Sequence, residues 1–147
     1  MTSQRRYPDR PILGVGGVVL MGDGRVVLVK RKYEPAAGTW TLPGGAVEIG
    51  ETARAAAARE ILEETGLVVD VGPVVDVIDR IFRDEDGRVE YQYVVVDYAC
   101  TPQAGTLAAG SDVDEVALAG PADLDRFALT EAVKSVLARV FPLSVEN

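Results

Sequence analysis

The chain has 147 residues, 48% of them hydrophobic and 26% charged, the length and balance of one folded domain rather than of a disordered, collagenous or membrane-spanning chain. It contains no histidine, which excludes serine–histidine and cysteine–histidine nucleophile systems and histidine-ligated zinc, so acid–base chemistry must rest on carboxylates, lysines, tyrosines or a metal ion. Fifteen Lys and Arg against 23 Asp and Glu give a formal charge of −8 and a pI near 4.5, a balance that argues against non-specific attraction to nucleic acid or an anionic membrane.

Residues 1–11 are polar, carry Pro8 and Pro11, and read as a loosely held leader whose Tyr7 is free to rest on the domain or at a homodimer contact. The domain proper is expected to span residues 12–147. Residues 12–21 form the longest apolar run, 10 residues with three glycines, well short of the roughly 20 needed to cross a bilayer. This run and residues 25–31 are rich in Val, Leu and Ile, and Gly22-Asp23-Gly24 between them predicts a β-hairpin. In the second run both alternating faces stay apolar until Lys30 and Arg31, as in a central strand with a basic end.

Residues 34–50 are loop-like, with Pro35, Gly38, Pro43, Gly44, Gly45 and Gly50, and residues 52–65 then read as a helix stopped by Gly66. Two β-rich runs follow, 68–82, broken by Gly72-Pro73, and 88–100, joined by the turn Asp84-Glu85-Asp86-Gly87. A short strand is expected at 113–118 and a helical turn at 121–127. Thr130 caps a last helix in which Val133, Val136, Leu137 and Val140 recur at helical spacing. More strands than helices, with one helix between β-rich runs and one at the end, predict an α/β domain: helices packed on the faces of a mixed sheet. Cys100 is the only cysteine, so no internal disulfide forms. Its expected role is a small buried filler in a chain of the reducing cytoplasm.

The segment with chemical content runs from Gly44 to Leu67. At about 100° per residue, Glu60, Glu63 and Glu64 share one arc of the helix, and Ala55, Ala58, Ile61 and Leu62 occupy the other side, which is expected to face the core. Ala53, Ala56 and Ala57 lie in or beside the acidic arc, so the carboxylates are left open. An arbitrary helix with three glutamates is ordinarily a solvated face. Glu60 and Glu64, however, are a like-charge i, i+4 pair, costing a few tenths of a kcal/mol (about 0.2–0.5) unless something positive sits between them. A hard divalent cation that takes oxygen ligands and bridges to phosphates suits such a cluster beside a glycine loop, and Arg59 is placed to brace Glu51 or a neighbouring glutamate.

Gly45, five residues, Glu51, seven residues, then Arg59-Glu60-Ile61-Leu62-Glu63-Glu64-Thr65-Gly66-Leu67 resembles the signature box of the Nudix hydrolases at every specified position. Gly38-Thr39-Trp40-Thr41-Leu42-Pro43-Gly44-Gly45 and the order of elements extend the likeness over most of residues 12–141. The resemblance implies an α/β/α sandwich around a mixed sheet with a loop-helix-loop catalytic box. It also implies metal-assisted hydrolysis of the diphosphate linkage in a nucleoside diphosphate derivative. The metal is expected to be Mg²⁺, with Mn²⁺ as the substitute. Glu60 and Glu64 are implied as principal ligands, Glu63 as a ligand directly or through water, and the Gly45 carbonyl as a further one, with Arg59 and Glu51 completing the catalytic set.

Many members add an acid from a loop before a late strand, and Gly110-Ser111-Asp112-Val113-Asp114-Glu115 occupies that region here, with Asp112 as first choice, Glu115 second, and Asp114 between them. Arg31 resembles a phosphate-contacting arginine and Tyr33 stands ready to stack on a base. Phe82, Tyr91 and Tyr93 offer the same stacking surface, although scattered aromatics in an α/β domain usually belong to the core, where Trp40 is expected to pack. Ala46 stands where some triphosphate-directed members carry lysine. The substrate expected is a small nucleotide, ADP-ribose or a nucleotide sugar ahead of a nucleoside triphosphate, with no nucleic acid or membrane partner. A catalytically idle nucleotide sensor is the reading from a different class, disfavoured because the box glutamates are intact.

Overall fold

The computed structural model describes residues 5–141. Chain order runs β1 (Ile12–Val19), β2 (Val26–Arg31), β3 (Trp40–Thr41), β4 (Gly44–Ala46), α1 (Ala53–Thr65), β5 (Leu67–Arg83), β6 (Val89–Gly105), β7 (Val113–Ala119), a 3₁₀ turn (Pro121–Arg126) and α2 (Glu131–Val140). Residues 142–147, part of the expected domain, lie outside the described residues, as do residues 1–4 of the leader.

The strands form two sheets. In the first, of order β4-β1-β6-β5, β1 runs parallel to β6 while β4 pairs antiparallel with β1 and β5 with β6. The second, of order β3-β2-β7, is antiparallel throughout. The expected mixed sheet between helices is therefore present, and a second sheet accompanies it. The Gly22-Asp23-Gly24 turn forms, with Gly24 N–H donating to the Met21 carbonyl at 3.0 Å. Yet β1 and β2 share only the bridge Leu20–Val26 and then diverge into different sheets. The hairpin expectation is corrected accordingly: both strands are apolar on both faces, so each can be central in its own sheet.

Alternation along β1 divides the core. Val15 and Val19 meet Ala56, Ala57, Ile61, Tyr98 and Cys100 beneath α1, while Val18 joins Val26, Leu28, Val133, Val136 and Leu137 beneath α2. Glycines let the layers close. A methyl group on Gly17 would stand 3.0 Å from the Cys100 sulfur and closer still to Ile61, so α1 lies nearer to β1 than any side chain would allow.

The caps of α1 match the sequence reading. Thr52 accepts from the Ala55 N–H at 3.1 Å, and Gly66 ends the helix in the left-handed region with φ 77°. Its rotation does not match. Ala56, Ala57, Ile61 and Thr65 are buried, while Ala55 and Leu62 are exposed. Alanine carries almost no polarity signal, so periodicity left the helix phase open by one position; close packing on β1 selects the face with two adjacent alanines. Glu60 and Glu64 consequently sit at the margin of the buried face rather than on an open one.

The strand expected to break at Gly72-Pro73 continues as β5 through an irregularity in its pairing with β6 between Val71 and Asp76. Arg54 caps that irregularity, donating to the Val71 and Gly72 carbonyls at 2.9 and 2.8 Å. Tyr7 rests on the domain: its N–H donates to the Glu90 carbonyl and its hydroxyl to Asp84, both at 2.7 Å. Trp40 packs edge-on against Phe127 with ring centres 5.0 Å apart, and Cys100 is buried and unpaired, as expected of both. No helix among the described residues is long and apolar enough to cross a membrane.

Candidate active site

The loop leaving β3 returns as β4 along the edge of β1, with Gly16 opposite Gly44 and Val15 opposite Gly45. The last two turns of α1 lie against this edge. The Gly44 N–H donates to Glu64 Oε1 at 2.9 Å, and a methyl group on Gly45 would stand 2.6 Å from Glu60 Oε1. Both glycines are required by close approach: a Cβ on Gly45 would meet the Glu60 carboxylate, and one on Gly44 the β1 backbone at Val15 and Gly16. Burial pushes the Glu64 carboxyl up to about 7, with further upward pressure from Glu60 and Asp112 that the Gly44 N–H and Arg31 only partly oppose. Burial also raises Glu60, against the pull of Arg59.

Arg59 and Glu51 stand behind these carboxylates, off the cavity wall. The guanidinium grips Glu51 through Nε and Nη2 at 2.7 and 2.9 Å and Glu60 through Nη1 at 2.8 Å, and Nη2 also reaches the Ala46 carbonyl at 3.2 Å. Arg59 holds the Glu51 carboxyl down to about 2. The pair orients Glu60 and ties α1 to β4. Glu63 points to the same guanidinium at 3.4 Å, with its side chain half exposed, and does not line the cavity.

The segment after β6 straps onto the end of α1. The Ala108 N–H donates to the Thr65 carbonyl at 2.9 Å and the Gly110 N–H to the Glu64 carbonyl at 3.0 Å, satisfying acceptors that a helix end leaves open. The turn that follows brings Asp112 into the cavity of about 280 Å³ that Glu60, Glu64, Gly45, Arg31 and Tyr33 also line. Glu115 faces Lys30 across the β2–β7 ladder, 3.4 Å away, and neither it nor Asp114 reaches that wall. Tyr33 is 61% exposed at the rim. Arg31 donates through Nε to the Pro35 carbonyl at 2.7 Å, and no carboxylate among the described residues forms an ion pair with it.

A second cavity, of about 130 Å³, continues from the first. The two share Arg5, Arg31, Thr41, Leu42, Gly44, Gly45 and Ala46, so they form one cleft, with Glu60, Glu64 and Asp112 in its outer part and two arginines on the shared wall. Phe82 and Tyr93 line the inner part, so of the two places open to them they take the cavity wall rather than the core. Arg80 and Asp97, which the sequence reading missed, lie there too. A lone acid inside the apolar run of β6 and a lone arginine between Ile78 and Phe82 on β5 are the signals that mark them. Arg80 stacks over Phe82 at 5.0 Å and has no ion pair among the described residues.

The carboxylate end fits a divalent cation. Its donors are all oxygen, two of its acids are held against glycine backbone, and their burial disfavours charge that a cation would stabilise. No three acidic side chains among the described residues form a ready cage. An ion that retains most of its water needs only one or two of them directly, as Mg²⁺ does.

A mixed α/β fold that sets box carboxylates against a glycine strand at the head of a cleft is the architecture of a phosphoric-anhydride hydrolase. The NUDIX domain model matches residues 10–140, and the chain belongs to that family, whose hydrolases generally use divalent metal ions. An ADP-ribose pyrophosphatase of Methanocaldococcus jannaschii is 39% identical over 105 residues, 71% of this chain and 59% of that protein, so the match spans less than two thirds of the relative's length. A MutT-like protein of Streptomyces ambofaciens is 32% identical over 86% of this chain and 76% of its own. The crystal structure of a MutT NUDIX hydrolase from Burkholderia pseudomallei superposes with a TM-score of 0.73 at 29% identity, covering 90% of this chain and 99% of that one.

Proposed function

We propose that the chain is a Mg²⁺-dependent pyrophosphohydrolase that cleaves the diphosphate linkage of a nucleoside diphosphate derivative, with ADP-ribose or a nucleotide sugar as the preferred class. The observation that carries this reading is the set of charges the cleft brings together. Glu60, Glu64 and Asp112 line the outer cavity, Arg80 the inner one, and Arg5 and Arg31 the wall common to both, none of these three arginines being paired with a carboxylate among the described residues. Unpaired guanidinium groups in a chain of charge −8 are suited to an anionic ligand.

Glu60 and Glu64, with Asp112 and the Gly45 carbonyl, would hold Mg²⁺, which when bound would neutralise diphosphate oxygens and support attack of water on phosphorus as the other phosphate ester departs. Arg31, fixed at Nε by the Pro35 carbonyl, steadies the phosphate nearer the inner pocket. Arg59 and Glu51 keep Glu60 in place and take no part in the exchange of groups. The name of the archaeal relative supports the ADP-ribose class.

The test is phosphate release, coupled to a phosphatase for ADP-ribose and nucleotide sugars, whose intact diphosphates carry no terminal phosphate, and to an inorganic pyrophosphatase for nucleoside triphosphates. ADP-ribose and nucleotide sugars are set against nucleoside triphosphates. Turnover of the first group above the second, abolished by chelation, is the expected result. Cleavage confined to triphosphates would transfer the chain to nucleotide-pool cleansing, and no cleavage at all would end the hydrolytic reading.

A further inference from the structure

Asp97 lies on β6 directly beside Gly16 of β1, where a methyl group would collide with its carboxylate, and its side chain lines the inner cavity with Arg80, Phe82 and Tyr93. The residue is only 6% exposed. Even so, its carboxylate accepts no hydrogen bond and forms no ion pair with any described residue. Among the described residues no side-chain oxygen or nitrogen is both sealed from solvent and unbonded, so what remains open of Asp97 opens into the cavity. A buried carboxyl without a partner carries a substantial desolvation penalty, and the rest of the interior meets its hydrogen bonds. Nothing in the packing of β1 on β6 requires an acid at this position: Val95 and Tyr93 line the same face.

We propose that Asp97 is a specificity-determining residue that accepts hydrogen bonds from an amino or N–H edge of a purine base seated in the inner cavity. The proposal rests on the reading of the cleft as a nucleotide site, and it adds which part of the nucleotide is read and by what. The lining favours a flat heterocycle over a sugar. Phe82 and Tyr93 provide aromatic surface, Arg80 stacked on Phe82 provides a planar cation, and Val15, Val95 and Ile78 supply apolar contact. Asp97 supplies an acceptor group to this lining, the complement of a purine amino or ring N–H, while Arg80 stands four residues further along the β5–β6 ladder, opposite Tyr93, where its guanidinium covers the aromatic wall. The distal phosphates then lie along the shared wall of Gly44–Ala46 and Arg31, toward Glu60 and Glu64.

The experiment uses two pairs of nucleoside monophosphates that differ by a single amino group: guanosine against inosine monophosphate, and adenosine against purine riboside monophosphate. Binding to the full chain is measured by calorimetry in Mg²⁺. In the wild type, the amino-bearing member of at least one pair binds about tenfold more tightly or better, as expected for a hydrogen bond to a charged acceptor in a poorly hydrated site. With Asp97→Ala that ratio falls to about one, and with the isosteric Asp97→Asn, which keeps one acceptor, it falls part of the way. Equal affinities within both pairs, no binding of any of the four, or a ratio that survives in the variants would each overturn the proposal. Weakening of all four ligands alike would also overturn it, by making Asp97 merely structural. Hydrolysis of ADP-ribose is followed in parallel on the wild type, so failure of the hydrolytic reading registers there while the binding ratios still judge Asp97.

Discussion

Replacing Asp97 with asparagine should stabilise the protein at neutral pH. Burial is the largest cause of the upward shift of this carboxyl, from 3.8 to about 6; repulsion by Asp76 adds to it and Arg80 opposes it. At about 1.4 kcal/mol per pH unit the difference corresponds to a folding penalty of roughly 3 kcal/mol when the group is ionised in both states. The sign follows from linkage. Below about pH 3 the carboxyl is mostly neutral whether the chain is folded or not, and it costs almost nothing. As pH rises through the interval between the two values the unfolded chain ionises first, so stability falls, and above the folded value the whole penalty is present. Asparagine has the same shape and no charge at any pH. Urea titrations of wild type and variant should therefore coincide at about pH 3 and diverge by neutrality. The gain is up to about 3 kcal/mol, at roughly 2–4 °C in Tm per kcal/mol for a domain of this size. A variant that is less stable than wild type at pH 7, or a gain that ignores pH, would refute the argument by showing that the acid has a partner in the folded state.

Glu60→Gln and Glu64→Gln should each lower turnover about a hundredfold or more while leaving the metal-free fold as stable or more so, because both carboxyls are penalised by burial; circular dichroism melts in chelator beside steady-state kinetics check both halves. Asp112→Asn should impair turnover more than Glu115→Gln, since only Asp112 reaches the cavity wall, and the reverse order would move the role to the Lys30 partner. Activity should climb through neutrality, because the Glu64 carboxyl sits at about 7 and a cation competes with its proton. The acid limb of kcat/KM should shift to lower pH as Mg²⁺ increases, and a limb indifferent to Mg²⁺ would detach Glu64 from metal binding. Ile61→Ala, at a position with no exposed surface between α1 and β1, should cost about 2–5 kcal/mol in urea unfolding; a loss below 1 kcal/mol would mean that α1 is held mainly by the Arg59 contacts.

Much of this molecule was legible before its structure. Thr52, Gly66 and Thr130 bound the helices because capping chemistry is local, and the carboxylates of the box stood out because their spacing is specific. What escaped has a common cause: it is decided by groups distant in sequence. The rotation of α1 depends on Gly17 and Cys100 as much as on its own alanines. The parting of β1 from β2 depends on β6 and β7 claiming their edges. Asp97 and Arg80 sit on strands from different parts of the chain and acquire meaning only where β5 and β6 wall the same cavity. Asp112 is the distal acid that the family resemblance favours. Its placement on the cavity wall comes from backbone hydrogen bonds between its loop and α1, which side-chain patterns do not encode.

That strap after β6 has an evolutionary consequence. Its grip on α1 comes from the amides of Ala108 and Gly110, and a main-chain amide is supplied by any residue except proline. Most identities between Thr106 and Ser111 can therefore drift, and with them the surface next to Asp112, while the register of Asp112 relative to Glu64 is preserved. Two positions are constrained: Gly110, since a side chain there would press on the Glu63 carbonyl, and Leu107, which packs against the core beneath α1. The arrangement separates what must stay constant for phosphorus chemistry from what can vary for substrate choice, within one stretch of half a dozen residues.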